Sequence, residues 1–240
     1  MSELRRHRVL VSGLATGLAL VLALAMVLLL SPARSEAPVP ASSQRPAAAP
    51  WPHRPPVIAF LGDSWTEGVG ATGFQGYAPR TAARLGWHYL NFGIGGSGYT
   101  QPGAHHNLFA QRIAAIVASH PDVVVVEGSL NDKSSTPTAE AAAAYTTLSL
   151  LHAELGRGTP INVLGASYNP GTPNTTIDWI NAAIAGAAKR VGLPFINPAP
   201  LNWTDPRNSA VWYNSLHPND RGHQLIASHL APLIRTLVLR

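Results

Sequence analysis

The sequence predicts an α/β domain: a parallel sheet with helices over both faces. Three observations carry this. Five short apolar runs alternate with helical patterns from residue 57 onward. The clearest of them are apolar at consecutive positions, as strands buried on both faces require. The chain also has no cysteine, so neither a disulfide scaffold nor a Cys-based zinc site holds it together.

Val57–Leu61 (VIAFL) runs apolar into Gly62, a buried-strand pattern. Gly76–Leu85 follows as a helix and His88–Asn91 as a second strand. Leu108–Ser119 is predicted helical and stopped by Pro121. Val123–Glu127 (VVVVE) is the plainest strand in the chain. Thr138–Leu155 is rich in Ala and Leu. Pro137 suits its first turn, and Glu140 suits the positive end of its dipole. Ile161–Gly165 is the fourth strand. Thr176–Val191 is helical, with Thr175 as cap and Asp178 three residues on. Phe195–Ile196 is a short fifth strand, and a helix from Asp220 to Leu237 closes the chain. No internal repeat interrupts this order. In such folds ligands bind beyond the carboxyl ends of the strands.

The first 56 residues have a different character. Arg5, Arg6 and Arg8 precede an uncharged run from Val9 to Leu30, 22 residues long. As a helix it would span about 33 Å, enough to cross a bilayer. Residues 1–30 are therefore expected to be a signal-anchor or signal peptide, with the arginines left inside and the rest exported. Residues 31–56, with eight prolines, are expected to be an extended Pro/Ala-rich linker. Residues 57–240 form the domain. The expected location is extracytoplasmic, membrane-anchored or secreted.

The net charge of +5 at first suggests a nucleic-acid partner. It does not survive division of the chain. Residues 1–56 hold six arginines against Glu3 and Glu36, a balance of +4, which leaves +1 for residues 57–240. That balance disfavours nucleic-acid binding, which only a basic cluster on one face of the domain would revive. Charged residues make up 12 % of the chain, about half the usual share.

Reactive residues gather at the ends of the predicted strands. The first strand ends in Gly62-Asp63-Ser64. The second leads into Gly93-Ile94-Gly95-Gly96-Ser97-Gly98, and the third into Gly128-Ser129-Leu130-Asn131-Asp132. His217-Pro218-Asn219 precedes the last helix. A serine needs a base to become a nucleophile, and backbone N–H groups with an Asn amide can hold a developing oxyanion. The glycine turn formally matches a dinucleotide fingerprint. It opens into no helix, however, and its next acidic residue is Asp122, which argues against that use.

These four blocks, in this order, resemble the SGNH hydrolase (GDSL esterase/lipase) superfamily. They are the GDS motif at 62–64, the glycine turn at Gly96, the Gly-x-Asn-Asp motif at 128–132, and the terminal histidine. The resemblance spans nearly all of residues 57–240. It implies a flavodoxin-like three-layer α/β/α sandwich with a five-stranded parallel sheet, and no cofactor or metal. It further implies Ser64 as nucleophile and His217 as base, with Ser64 N–H, Gly96 N–H and the Asn131 side chain as the oxyanion hole. Asp63, Gly128 and Asp132 are expected to support the site, Asp63 as a hydrogen-bond acceptor. The substrate expected is a carboxylic ester, and the protein is expected to be a monomer.

One position departs from the pattern. The superfamily places an Asp three residues before the histidine, and here the residue is Asn214. An Asn oxygen can hold a histidine tautomer but cannot balance an imidazolium charge; in the serine-protease triad the same exchange costs about 10⁴ in turnover. Either the enzyme runs as a Ser–His dyad, or another group such as Asp205 or a backbone carbonyl replaces the Asp, or it is slow. An acyltransferase using the same site, or a binding module without turnover, are the alternatives. Trp65, Tyr99, Trp203, Trp212 and Tyr213 are candidates for lining an acyl or sugar pocket. His105, His106, His223 and His229 show no metal spacing.

Overall fold

The consecutive apolar residues of the predicted strands need cover on both faces. The computed structural model, which describes residues 54–103 and 105–238, shows what supplies it. Strands β1 (Val57–Gly62), β2 (His88–Gly93), β3 (Val123–Glu127), β4 (Ile161–Leu164) and β5 (Phe195–Ile196) are all parallel. Their order is β2-β1-β3-β4-β5. Phe60 of β1 stands between Asn91 of β2 and Val125 of β3.

The helices are α1 (Ser64–Glu67), α2 (Tyr77–Leu85), α3 (Ile113–Ala118), α4 (Pro137–Leu155), α5 (Asn174–Val191) and α6 (Asp220–Val238). Strand alternation sorts the core into two layers. Ile58, Phe60, Val123 and Val125 face one way and pack with Ala78 and Ala82 of α2 and Ile226, Leu230 and Ile234 of α6. Ala59, Leu61, Val124 and Val126 face the other way, onto Ile113 and Ile116 of α3, Leu148 and Leu151 of α4, and Ile180 and Ile184 of α5. The result is the expected three-layer α/β/α sandwich.

Three local expectations need correction. Leu108–Ser119 is not one helix: a 3₁₀ turn, Phe109–Arg112, precedes α3. That tight turn buries both Phe109 and Arg112, and the Arg112 guanidinium reaches the ends of β1 and β2. Helix α5 starts before Thr175. Pro173 is its N-cap, with its carbonyl accepting from Thr176 N–H, and no side chain caps it. The short α1 lacks the length to show a helical period and was not expected at all. Helix α4 keeps Pro137 in its first turn as expected, and Thr136 caps it, its hydroxyl accepting from Ala139 N–H.

The apolar run Val9–Leu30 and residues 31–53 lie outside the described residues. Among the described residues, no helix is long and apolar enough to cross a membrane. The last part of the linker is tied down: Arg54 pairs with Asp122 at 2.8 Å, and the same carboxylate accepts from Val57 N–H at 2.7 Å.

Candidate active site

Ligands in doubly wound sheets sit where the strand order reverses, outside the carboxyl ends. Here that point lies between β1 and β3. Ser64 follows β1 directly and opens α1; Asn131 lies just past β3. Asp63 caps α1, its carboxylate accepting from Trp65 N–H at 2.8 Å. His217 arrives from the loop before α6. Ser64, Gly96, Asn131 and His217 share a cleft of about 360 Å³, with Asp63, Trp65, Val69, Gly95, Leu130 and Leu216 completing its walls.

The Ser64 hydroxyl lies 3.0 Å from His217 Nε2. His217 Nδ1 lies 3.2 Å from Asn214 Oδ1. That same amide oxygen accepts the backbone N–H groups of Leu216 and His217, each at 2.8 Å. Two N–H donors can face only an oxygen, which fixes the amide orientation. Facing that oxygen, Nδ1 must carry the ring proton, and Nε2 presents its lone pair to the serine hydroxyl. Asn214 thus selects the tautomer a general base needs. Burial holds His217 below its ordinary range, and the charge of Glu67 pulls the other way.

Asp205 is not the missing carboxylate. Both of its oxygens bind the Arg207 side chain, and its backbone carbonyl accepts from Trp212 Nε1.

The glycine turn is shaped from below by Asp132. This buried carboxylate accepts from Tyr99 N–H (2.9 Å), Thr100 N–H (2.8 Å), Gln101 N–H (3.1 Å) and the Thr100 hydroxyl (2.6 Å). A Cβ on Gly98 would meet it at 2.4 Å, so only glycine lets the turn close this tightly. Gly96, at φ 74°, takes the left-handed conformation. Asn131 Nδ2 donates to Ser97 C=O at 2.9 Å and lies 3.3 Å from Asp63 Oδ2. Both amide hydrogens are thus engaged, and the longer bond, to Asp63, is the one an oxygen entering the cleft would have to replace.

Counted strictly, the Gly-x-Asn-Asp spacing falls on Ser129–Asp132, not on 128–132. A serine therefore stands in the glycine position. Ser129 is fully buried, and its hydroxyl touches Asp63 Oδ2 (3.0 Å) and Ser97 C=O (2.8 Å) while accepting from Asn131 N–H (3.0 Å). Gly128, at φ 95°, brings the chain against Asp63.

Glu127, Asp63, Glu140 and Arg112 are buried around the cleft, and two of them, Glu127 and Arg112, are not among the residues the sequence singles out. Glu127, at the end of β3, accepts from the Thr66 hydroxyl at 2.8 Å, and burial pushes its carboxyl well up. Asp63 is also raised, because burial outweighs the Trp65 and Ser129 donors. Glu140 is raised to about 9 by burial and by the charge of Asp132. Arg112 lies close enough to Asp63 for their charges to interact. It donates to Gly62 C=O (2.8 Å), Phe92 C=O and Ser97 Oγ (2.8 Å), pinning two strand ends and the glycine turn together. Burial lowers its guanidinium to about 10. The roles of Glu127 and Arg112 have no local motif, since their hydrogen-bond partners lie 15 to 61 residues away in sequence.

The aromatic candidates divide. Trp65 lines the cleft, donates from Nε1 to Leu216 C=O at 3.0 Å, and meets Trp212 edge-on. Tyr99 and Trp203 are core, and Tyr213 is exposed. His223 is wholly buried: Nδ1 accepts from Tyr77 N–H and Nε2 faces Val69 C=O, binding α6 to α2. Among the described residues no His, Asp or Glu group is arranged to hold a metal.

This sheet order, with a hydroxyl, an imidazole and an amide at its carboxyl edge, defines a three-layer α/β ester hydrolase of the SGNH class. The chain belongs to the GDSL-like lipase/acylhydrolase family, whose model matches residues 60–225. It is 27 % identical over 188 residues to a GDSL lipase of Mycobacterium tuberculosis, covering 74 % of this chain and 80 % of that one. Two solved structures share the fold. A lipase/acylhydrolase from Enterococcus faecalis has a TM-score of 0.58 at 19 % identity, covering 75 % of this chain and 96 % of its own. A family two carbohydrate esterase from Clostridium thermocellum has a TM-score of 0.60 at 21 % identity, covering 76 % and 64 %.

Proposed function

We propose that this protein is an extracytoplasmic serine esterase with Ser64 as nucleophile and His217 as base. The observation that carries this reading is the 3.0 Å contact between Ser64 Oγ and the acceptor nitrogen of a tautomer-fixed histidine. Ser64 Oγ attacks the ester carbonyl while Nε2 takes its proton. The oxyanion is held by the N–H groups of Ser64 and Gly96 and by the Asn131 amide. The imidazolium then protonates the departing alkoxide. Water, activated by the same nitrogen, releases the acid and restores Ser64.

The substrate is an acyl or acetyl ester of a lipid, sugar or small alcohol. Apolar Trp65, Val69, Leu130 and Leu216 give the acyl group its surface, and a cleft of about 360 Å³ suits a short chain. Arg5, Arg6 and Arg8 ahead of Val9–Leu30 support export of the domain, which the Pro/Ala-rich linker would hold off a membrane. The enzyme acts as a monomer.

Ser64→Ala should abolish hydrolysis of p-nitrophenyl acetate and labelling by a fluorophosphonate probe. Full activity in that variant refutes the assignment. Cell fractionation with external protease should find the full chain in membranes or medium and digestible from outside; a protected cytosolic pool refutes the location.

A further inference from the structure

The reading of Ser64 and His217 leaves a charge unaccounted for. Asn214 orients the imidazole but carries no charge, so the imidazolium formed in the transition state lacks its usual counter-ion. The groups around it are mostly committed elsewhere. Asp63, at the turn before α1, is engaged by Trp65 N–H, Ser129 and Asn131. Asp220, at the start of α6, is held by Thr72 and Arg80. Asp205 is held by Arg207. His223, also on α6, is buried between Tyr77 N–H and Val69 C=O, and burial keeps it neutral.

Glu67 is different. It lies one turn beyond Ser64 on α1, on the same side of the helix. Its backbone is fixed, with its N–H donating to Asp63 C=O at 2.9 Å. A Cβ on Gly93 would meet Glu67 N at 2.2 Å, so the turn is pressed against the end of β2. Its carboxylate turns toward the cleft floor. Glu67 Oε2 is 3.0 Å from where a Cβ on Gly95 would sit, and Ser64 Cβ is 3.8 Å from that same point. These distances keep the carboxylate within about 7 Å of the nucleophile's Cβ. Among the described residues, the three ion pairs engage Asp122, Asp220 and Asp205, and none engages Glu67.

We propose that Glu67 is a positioning residue that supplies the counter-charge for the His217 imidazolium across Gly95, in place of the carboxylate absent at position 214. Its charge also acts on His217 in the resting enzyme, where it raises the imidazole against the pull of burial. This rests on the esterase reading above.

The test is a double-mutant cycle in the full chain: wild type, Glu67→Gln, Asn214→Asp and the double variant. Each is titrated for active sites with a fluorophosphonate and followed as kcat/KM against pH on p-nitrophenyl acetate. Glu67→Gln is expected to lower plateau kcat/KM roughly ten-fold, the effect of one charge at that range in a half-solvated cleft. It should also move the acid limb to lower pH. In the Asn214→Asp background the same change is expected to cost less than three-fold, because the adjacent carboxylate already balances the charge. An unmoved acid limb in Glu67→Gln, or equal losses in both backgrounds, overturns the proposal: a structural role would cost the same in each. If Ser64→Ala keeps full activity, the esterase reading fails first and this proposal falls with it. If only Ser64 matters and the cycle shows no coupling, Glu67 alone is refuted.

Discussion

Asp132→Asn probes how far one buried carboxylate shapes the cleft. The amide oxygen can take the Oδ1 place and keep Thr100 N–H, the Thr100 hydroxyl and Gln101 N–H. The amide nitrogen then takes the Oδ2 place and faces Tyr99 N–H, a donor against a donor, where the native distance is 2.9 Å. A flipped amide is worse, because its nitrogen faces two backbone donors, Thr100 N–H and Gln101 N–H. Leaving Tyr99 N–H unsatisfied costs about 1–3 kcal/mol. Turning three charge-assisted bonds into neutral ones costs about 2 kcal/mol more, since charged bonds are roughly twice as strong. Burial resists the Asp132 charge, and losing that charge returns part of the cost. The net loss is about 2–4 kcal/mol, or a fall of roughly 5–12 °C in Tm for a domain of this size. The turn carrying Gly96 loosens with it, so kcat/KM should fall about 10- to 100-fold. Calorimetry and ester hydrolysis on the same preparation test both. A variant melting within 1 °C of wild type with kcat/KM unchanged would refute the view that Asp132 holds the glycine turn.

Other outcomes follow from the same geometry. Because burial holds the His217 imidazole down, the acid limb of kcat/KM should have its midpoint below pH 6.5; a midpoint above 7 contradicts this. Glu140 keeps its proton up to about pH 9 when folded but loses it near 4.5 when unfolded, so its contribution to stability is full below about 4.5 and is lost as pH rises towards 9. Glu140→Gln should therefore match wild type near pH 4.5 and be about 2 kcal/mol more stable at pH 8 by denaturant titration, and a gap that shrinks with pH would exclude this. Trp65→Phe keeps an aromatic wall but loses the bond to Leu216 C=O beside His217. It should cost about 1 kcal/mol in urea unfolding and lower kcat several-fold with little change in KM; a change confined to KM would mean Trp65 only contacts substrate.

The core strands were legible because parallel strands buried on both faces leave an unbroken apolar signature, as in VIAFL and VVVVE. Ser64, His217, Gly96 and Asn131, which the cleft brings together, were legible because each follows a strand or precedes the last helix in a motif of fixed order. Short elements were not. Four residues of α1 show no helical period, and the turn at Phe109–Arg112 depends on a guanidinium finding carbonyls 50 and 20 residues back. The supporting shell was hidden for the same reason. Ser129, Glu127 and Arg112 gain their roles from partners that only the closed sheet brings within hydrogen-bond range.

Position 214 divides the two kinds of knowledge. Sequence alone determined that an uncharged amide stands where a carboxylate is usual, and that Asp205 is the nearest upstream acid. Only the tertiary structure decided what each does. Two backbone N–H groups pin the Asn214 oxygen so that it selects the histidine tautomer. Arg207 takes Asp205 out of reach, and the packing of α1 against the end of β2 sets Glu67 beside Gly95. A residue's type states which hydrogen bonds and charges it can offer. Which of them it makes depends on distances that the chain acquires only when distant segments pack together.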